Sequence, residues 1–140
     1  ITVKVDEVSS GSLDHFDGIV LPGGMPGAAN LRDHEGLIQS LKEAHDQGKS
    51  LAAICAAPIV LDRAGLLDEK RYTCYDGFEK EIGREHYVKE AVVKDGHILT
   101  SRGPATAIAF SYALGNHFGG EATALREVML YQDVFGTSAP

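Results

Sequence analysis

The chain has 140 residues, 44% of them hydrophobic, which suits one compact domain with a real core. No stretch approaches the ~20 apolar residues of a membrane span, the first residues carry no signal-peptide succession, and a formal net charge of −7 without a Lys/Arg cluster disfavours nucleic acid and anionic membranes as partners. Two cysteines, Cys55 and Cys74, are too few for a disulfide scaffold in a chain this long, so a reducing, cytoplasmic setting is the default.

In chain order, residues 1–5 alternate β-branched and polar side chains and read as a strand, and Ser9-Ser-Gly-Ser12 reads as a loop. Gly18-Ile-Val-Leu21 is a continuous apolar run closed by Pro22-Gly-Gly24, the pattern of a strand buried on both faces of a parallel sheet. Asp33 offers an N-cap to a helix carrying Leu37, Ile38, Leu41 and Ala44 at helical spacing, with Gly48 placed to cap its end. Residues 50–54 predict a second apolar strand and residues 56–64 a helix, with Pro58 in its first turn and Gly65 after its end.

Residues 71–74 predict a short strand and residues 78–82 a helical turn. Residues 88–93 and 97–100 flank Lys94-Asp-Gly96, a hairpin signal. Residues 104–118 and 121–131 predict two helices, and residues 136–140 a frayed tail. Strands alternating with helices, plus one late hairpin, predict an α/β three-layer sandwich on a mostly parallel sheet.

Three segments carry chemistry. Ala52-Ala-Ile-Cys-Ala-Ala-Pro58 places Cys55 between a strand and a helix, with Ala53 and Ala57 as the small neighbours that a sharp nucleophile turn requires. The amides opening the following helix favour thiolate over thiol at that sulfur. Alanine-rich strand-to-helix turns also occur without chemistry. Leu21-Pro-Gly-Gly-Met-Pro-Gly27 is a glycine-rich loop at the carboxyl edge of the sheet, where ligands bind; it fits neither a phosphate loop nor a dinucleotide fingerprint. The backbone amides of Gly24 and Ala56 are the candidate oxyanion donors, and a plain turn is the alternative. In Thr100-Ser-Arg-Gly-Pro-Ala-Thr106, Arg102 neutralises an acidic substrate, pairs with a carboxylate or faces solvent.

These motifs, in this order and spacing, resemble the ThiJ/PfpI family, most closely its DJ-1/ThiJ branch; Asn30-Leu-Arg32 and Tyr72-Thr-Cys-Tyr-Asp-Gly-Phe78 share the resemblance, which covers nearly the whole chain. The resemblance implies a flavodoxin-like sandwich, usually a homodimer, with the elbow cysteine as the functional residue. It also implies glyoxalase- or deglycase-type chemistry on reactive carbonyls, redox sensing by cysteine oxidation, or chaperone action. The family carries roughly one more βαβ unit before residue 1, and a glutamate from that unit hydrogen-bonds the cysteine. The expectation is therefore a single domain over residues 1–140, N-terminally incomplete, its fold completed by a separate or nicked upstream segment and unable to stand stably without it.

Protease-like members place a histidine directly after the cysteine, where Ala56 stands here, and some members carry a histidine at the position of Cys74. No motif supplies an imidazole base, so a protease is disfavoured; each of His15, His34, His45, His86, His97 and His117 reads as a surface or capping residue. Two readings stand. One is a cysteine-dependent enzyme acting on a small-molecule carbonyl through Cys55, with Gly23, Met25, Cys74, Tyr75 and Arg102 as substrate-pocket candidates and no metal or cofactor. The other is a non-catalytic, redox-responsive or chaperone-like protein whose Cys55 is oxidised. A Cys55–Cys74 disulfide or a two-cysteine metal site is disfavoured in a reducing cell, and Cys74 reads as packed.

Overall fold

A computed structural model describes residues 15–136. The strand expected over residues 1–5 and the loop at residues 9–12 lie outside the described residues, as do residues 137–140. The elements run β1 (Gly18–Leu21), α1 (Gly27–Arg32), α2 (Glu35–Asp46), β2 (Ser50–Ile54), α3 (Pro58–Arg63), α4 (Phe78–Ile82), β3 (Val92–Asp95), β4 (Ile98–Ser101), a 3-10 turn (Pro104–Thr106), α5 (Ala107–His117), α6 (Ala122–Val128) and α7 (Tyr131–Phe135).

Among the described residues the sheet has four strands in the order β1-β2-β4-β3. β1, β2 and β4 are parallel, and β3 pairs antiparallel with β4 through a two-residue turn, Gly96-His97, that sets Asp95 opposite Ile98. The mostly parallel α/β sandwich with an inserted hairpin is the architecture that the alternation of strands and helices predicts.

β2 lies at the centre and explains why a run of small and branched residues works there. Leu51 and Ala53 face one layer, where they meet Leu21, Ile38, Leu41, Val60 and Leu61 under α1 to α4. Ala52 faces the other layer and meets Leu99 of β4 and Phe110 of α5. Alternation on a strand sends neighbours to opposite faces, so a strand buried on both sides reads as continuously apolar.

Several boundaries differ from the sequence expectation. The helix before β2 is capped by His34, not Asp33: His34 has an extended backbone and its Nδ1 accepts the Leu37 N–H at 3.0 Å. Asp33 instead closes the helix before it, α1, which periodicity did not reveal, and its carboxylate takes the Arg32 Nε at 2.8 Å. The third helix begins at Pro58, because Cys55 to Ala57 form the turn that precedes it. The strand expected over residues 71–74 is a single bridge, Tyr72 with Tyr87. β3 starts only at Val92 and includes Lys94 and Asp95, so the turn falls at Gly96-His97. The helix expected over residues 104–118 opens with the 3-10 turn at Pro104. The last helix is broken in two where Leu130 takes a left-handed backbone, φ 53°.

His117 is half-buried rather than a surface or capping residue. Its Nε2 lies 2.5 Å from Ser50 Oγ at the start of β2, and its ring stacks edge-on with His97 and Phe118. Burial, followed by the positive charges of Lys94 and His97, lowers its proton affinity below the ordinary histidine value. The unfolded chain therefore takes up a proton first as pH falls through about 6.5. The His117 contribution is fully present above that pH and declines as pH drops toward the lower folded value. Urea titrations at pH 7.5 and 5.5 are expected to show a smaller pH loss in His117→Gln than in the wild type; equal losses would contradict this.

Candidate functional site at the end of strand β2

The sheet brings three loops to one edge. β2 and β4 run parallel with Ile54 opposite Ser101, and the Cys55 N–H continues this pairing by donating to Ser101 O at 2.9 Å. The Cys55 carbonyl accepts the Tyr75 N–H at 2.9 Å. Cys55 is thus pinned on both sides of its backbone, and it sits at φ 65°, a left-handed conformation that non-glycine residues rarely adopt. Ala53 and Ala57 on either side are fully buried, which is why only small side chains fit there.

The glycine loop after β1 crosses directly over this turn. A Cβ built on Gly23 would lie 2.6 Å from Cys55 Cβ, 2.7 Å from Ile54 O and 3.4 Å from Cys55 Sγ. Gly24 follows at φ 92° with open space around it, and its carbonyl accepts the Ala28 N–H at 2.8 Å. Among the described residues no backbone acceptor takes the N–H of Gly24 or of Ala56. Met25 lies on the same loop, half-exposed.

On the β4 side, Ser101 Oγ donates to Ala91 O at 2.8 Å and meets Thr106 Oγ1 at 2.6 Å, while the Gly103 N–H donates to Thr106 Oγ1 at 3.0 Å. These bonds fix the turn that carries Arg102. An open cleft of about 240 Å³ lies there, lined by Tyr75, Asp76, Arg102, Gly103, Pro104 and Thr106. The Tyr75 ring rests on the bare backbone of Gly103, where a Cβ would meet Tyr75 Cδ2 at 3.2 Å. Arg102 pairs with Asp76, a residue the sequence reading passed over; the only local signal was its place in the Tyr72-to-Phe78 segment.

The two cysteines differ sharply. Cys55 is partly exposed, and Cys74 is fully buried in the core beneath α3 and α4. Burial, then the nearby carboxylates of Glu79 and Asp76, pushes the Cys74 thiol up to about 12. Both are free thiols. Iodoacetamide at neutral pH is accordingly expected to alkylate Cys55 and spare Cys74 in the folded protein; peptide mapping checks it, and preferential labelling of Cys74 would overturn it. Among the described residues no group of three or more His, Cys, Asp or Glu side chains is arranged to hold a metal ion. No helix among them is long and apolar enough to cross a membrane.

Residues 1–116 match the DJ-1/PfpI family model. The chain belongs to the DJ-1/PfpI family. DJ-1 homolog A of Arabidopsis thaliana is 37% identical over 125 residues, which are 89% of this chain and 31% of that protein. The dj-1beta protein of Drosophila melanogaster is 39% identical over 111 residues, 77% of this chain and 59% of that one. The chain therefore spans between about a third and three-fifths of these DJ-1 relatives. Among solved structures, Drosophila DJ-1beta superposes with a TM-score of 0.77 at 34% identity, covering 82% of this chain and 64% of that one. Oxidised Toxoplasma gondii DJ-1 does so with a TM-score of 0.76 at 36% identity and the same coverage. The flavodoxin-like sandwich is thus the DJ-1/PfpI fold.

Proposed function

We propose that this DJ-1/PfpI protein carries out cysteine-dependent, glyoxalase- or deglycase-like chemistry on small reactive carbonyls, with Cys55 as nucleophile. The observation that carries the reading is the strained, doubly pinned backbone of Cys55 at the carboxyl edge of a parallel sheet, with a glycine loop laid against its side chain. In this reading the Cys55 thiolate adds to the carbonyl carbon, a C–S bond forms, and the π pair moves onto the carbonyl oxygen. The free N–H groups of Gly24 and Ala56 receive that oxyanion. Gly23 gives the substrate close access to the sulfur, Tyr75 and Arg102 line the cleft next to the Cys55 turn, and Met25 stands exposed on the glycine loop. Cys74 packs beneath the site and takes no chemical part.

The test is methylglyoxal consumption by the purified protein. The wild type is expected to turn it over, and Cys55→Ser to lose at least about a hundredfold, since the hydroxyl is a far weaker nucleophile than a thiolate. Equal rates in both proteins would end the reading. A second reading has its own support: one structural relative is an oxidised DJ-1. In it, peroxide converts Cys55 stepwise to sulfenic and sulfinic acid, and the protein responds to oxidation without turnover. A cytoplasmic homodimer fits both readings: two free thiols suit a reducing compartment, and Val128, Leu130, Val134 and Phe135 leave an apolar surface for a second copy.

A further inference from the structure

The last residue of β4 ends two ladders at once. Ser101 stands opposite Ile54 on β2 and opposite Val92 on β3, and both pairings stop there. Its carbonyl accepts the Cys55 N–H at 2.9 Å. Whatever seats that carbonyl therefore holds the cysteine turn from the β4 side.

The Ser101 side chain is fully buried, and its hydroxyl is tied on two sides, to Ala91 O at 2.8 Å and to Thr106 Oγ1 at 2.6 Å. Thr106 Oγ1 in turn takes the Gly103 N–H at 3.0 Å and lies 2.9 Å from Gly103 O. Each hydroxyl donates once, so two protons cannot serve all three oxygen–oxygen contacts. Gly103 O already accepts the Thr106 N–H at 3.0 Å, whereas Ala91 O has, besides Ser101, only the longer bond from the Arg102 N–H at 3.3 Å. One arrangement gives every acceptor a well-placed donor: Gly103 N–H to Thr106, Thr106 O–H to Ser101, and Ser101 O–H to Ala91 O. Hydrogen bonds chained in one direction strengthen one another. This chain runs from the 3-10 turn ahead of α5 to the residue before β3.

We infer that Ser101 and Thr106 are positioning residues for Cys55 and act as one unit. Their linked hydroxyls seat the Ser101 carbonyl, and that carbonyl holds the Cys55 backbone at φ 65°. A left-handed backbone at a non-glycine residue persists only where its surroundings over-determine it. Breaking the chain frees one of the two ties on Cys55 and lets the elbow relax. Both residues act through the backbone, and the inference rests on the reading of Cys55 as the reacting residue.

Iodoacetamide kinetics at Cys55 in the folded protein test this. Sγ attacks the methylene carbon, the C–S bond forms, and iodide leaves with the C–I electron pair. Ser101→Ala and the isosteric Thr106→Val are each expected to slow the reaction about tenfold, within what a sub-ångström misplacement of a reacting group costs. The double variant also loses only about tenfold, because either change breaks the same chain; independent effects would multiply to about a hundredfold. Thr106→Ser returns the hydroxyl and recovers most of the rate that Thr106→Val loses. Cys74 stays unlabelled throughout, which reports an intact core. A merely structural role would lower the urea midpoint and leave the folded-state rate at Cys55 alone. Should Ser101→Ala expose Cys74, the Thr106 pair decides. Wild-type rates in Thr106→Val, a multiplied loss in the double variant, or a Thr106→Ser as slow as Thr106→Val would each overturn the inference. A wild-type Cys55 no faster than a free cysteine peptide ends the reading of Cys55 as the reactive residue; a fast Cys55 that ignores both hydroxyls ends this inference alone.

Discussion

Gly23→Ala is expected to unseat Cys55 without unfolding the protein. The added methyl would fall 2.6 Å from Cys55 Cβ and 2.7 Å from Ile54 O, both below any ordinary carbon contact, and neither neighbour can step aside. Ile54 is held in register with Ser101, and the Cys55 backbone is bonded on both sides. Overpacking of this kind costs about 1–3 kcal/mol. The displacement falls on the reactive residue itself, so the Cys55 alkylation rate is expected to drop about tenfold or more, in line with the sensitivity of reactions to misplacement of about 1 Å. Gly24→Ala is the control. It has open space but a backbone at φ 92°, so it loses about 1–2 kcal/mol through conformation while leaving Cys55 in place. Iodoacetamide kinetics on both variants decide the point: equal rates for Gly23→Ala and wild type would show that the loop is not pressed against the cysteine.

The second large effect is in the core. Leu51 is fully buried at the centre of the sheet, paired with Ile19 on one side and Ile98 on the other, and packed under α2. Strands on both sides and a helix above leave nothing free to collapse into the space of a removed side chain. Leu51→Ala is expected to cost about 3–5 kcal/mol, a large part of a domain's total stability. Val20→Ala on β1, where the side chain is 48% exposed, is expected to cost less than about 1 kcal/mol. Urea titration of the two variants measures the contrast, and a Leu51→Ala loss below about 1 kcal/mol would mean the centre of the sheet is not the rigid part of this fold.

Much of this molecule is written in short stretches of chain. β1 and β2 appear where continuous apolar runs predict them, and the elbow at Cys55 is announced by its alanines. The hairpin is signalled by Asp95-Gly96, although its turn lies one residue later than the dipeptide implies. The family is legible for the same reason: its motifs are contiguous segments.

α1 escaped because Gly27–Arg32 has too few turns to show a period and no side-chain cap to announce it. Once α1 exists, Asp33 ends it, and the cap of the next helix passes to His34.

The sequence by itself determined the α/β alternation, the cysteine on its turn and the small residues that allow the turn. These depend on bonds and sterics among residues within a few positions of one another. Only the tertiary structure decided that Gly23 touches Cys55, that the Cys74 thiol is pushed up to about 12 by burial and nearby carboxylates, and that Arg102 is matched by Asp76. Gly23 and Cys55 follow the adjacent parallel strands β1 and β2, which are joined by a long crossover, and Asp76 and Arg102 come from separate loops. Crowding, burial and charge pairing act through space at a few ångströms, and the chain's fold, not its order, sets which residues come that close.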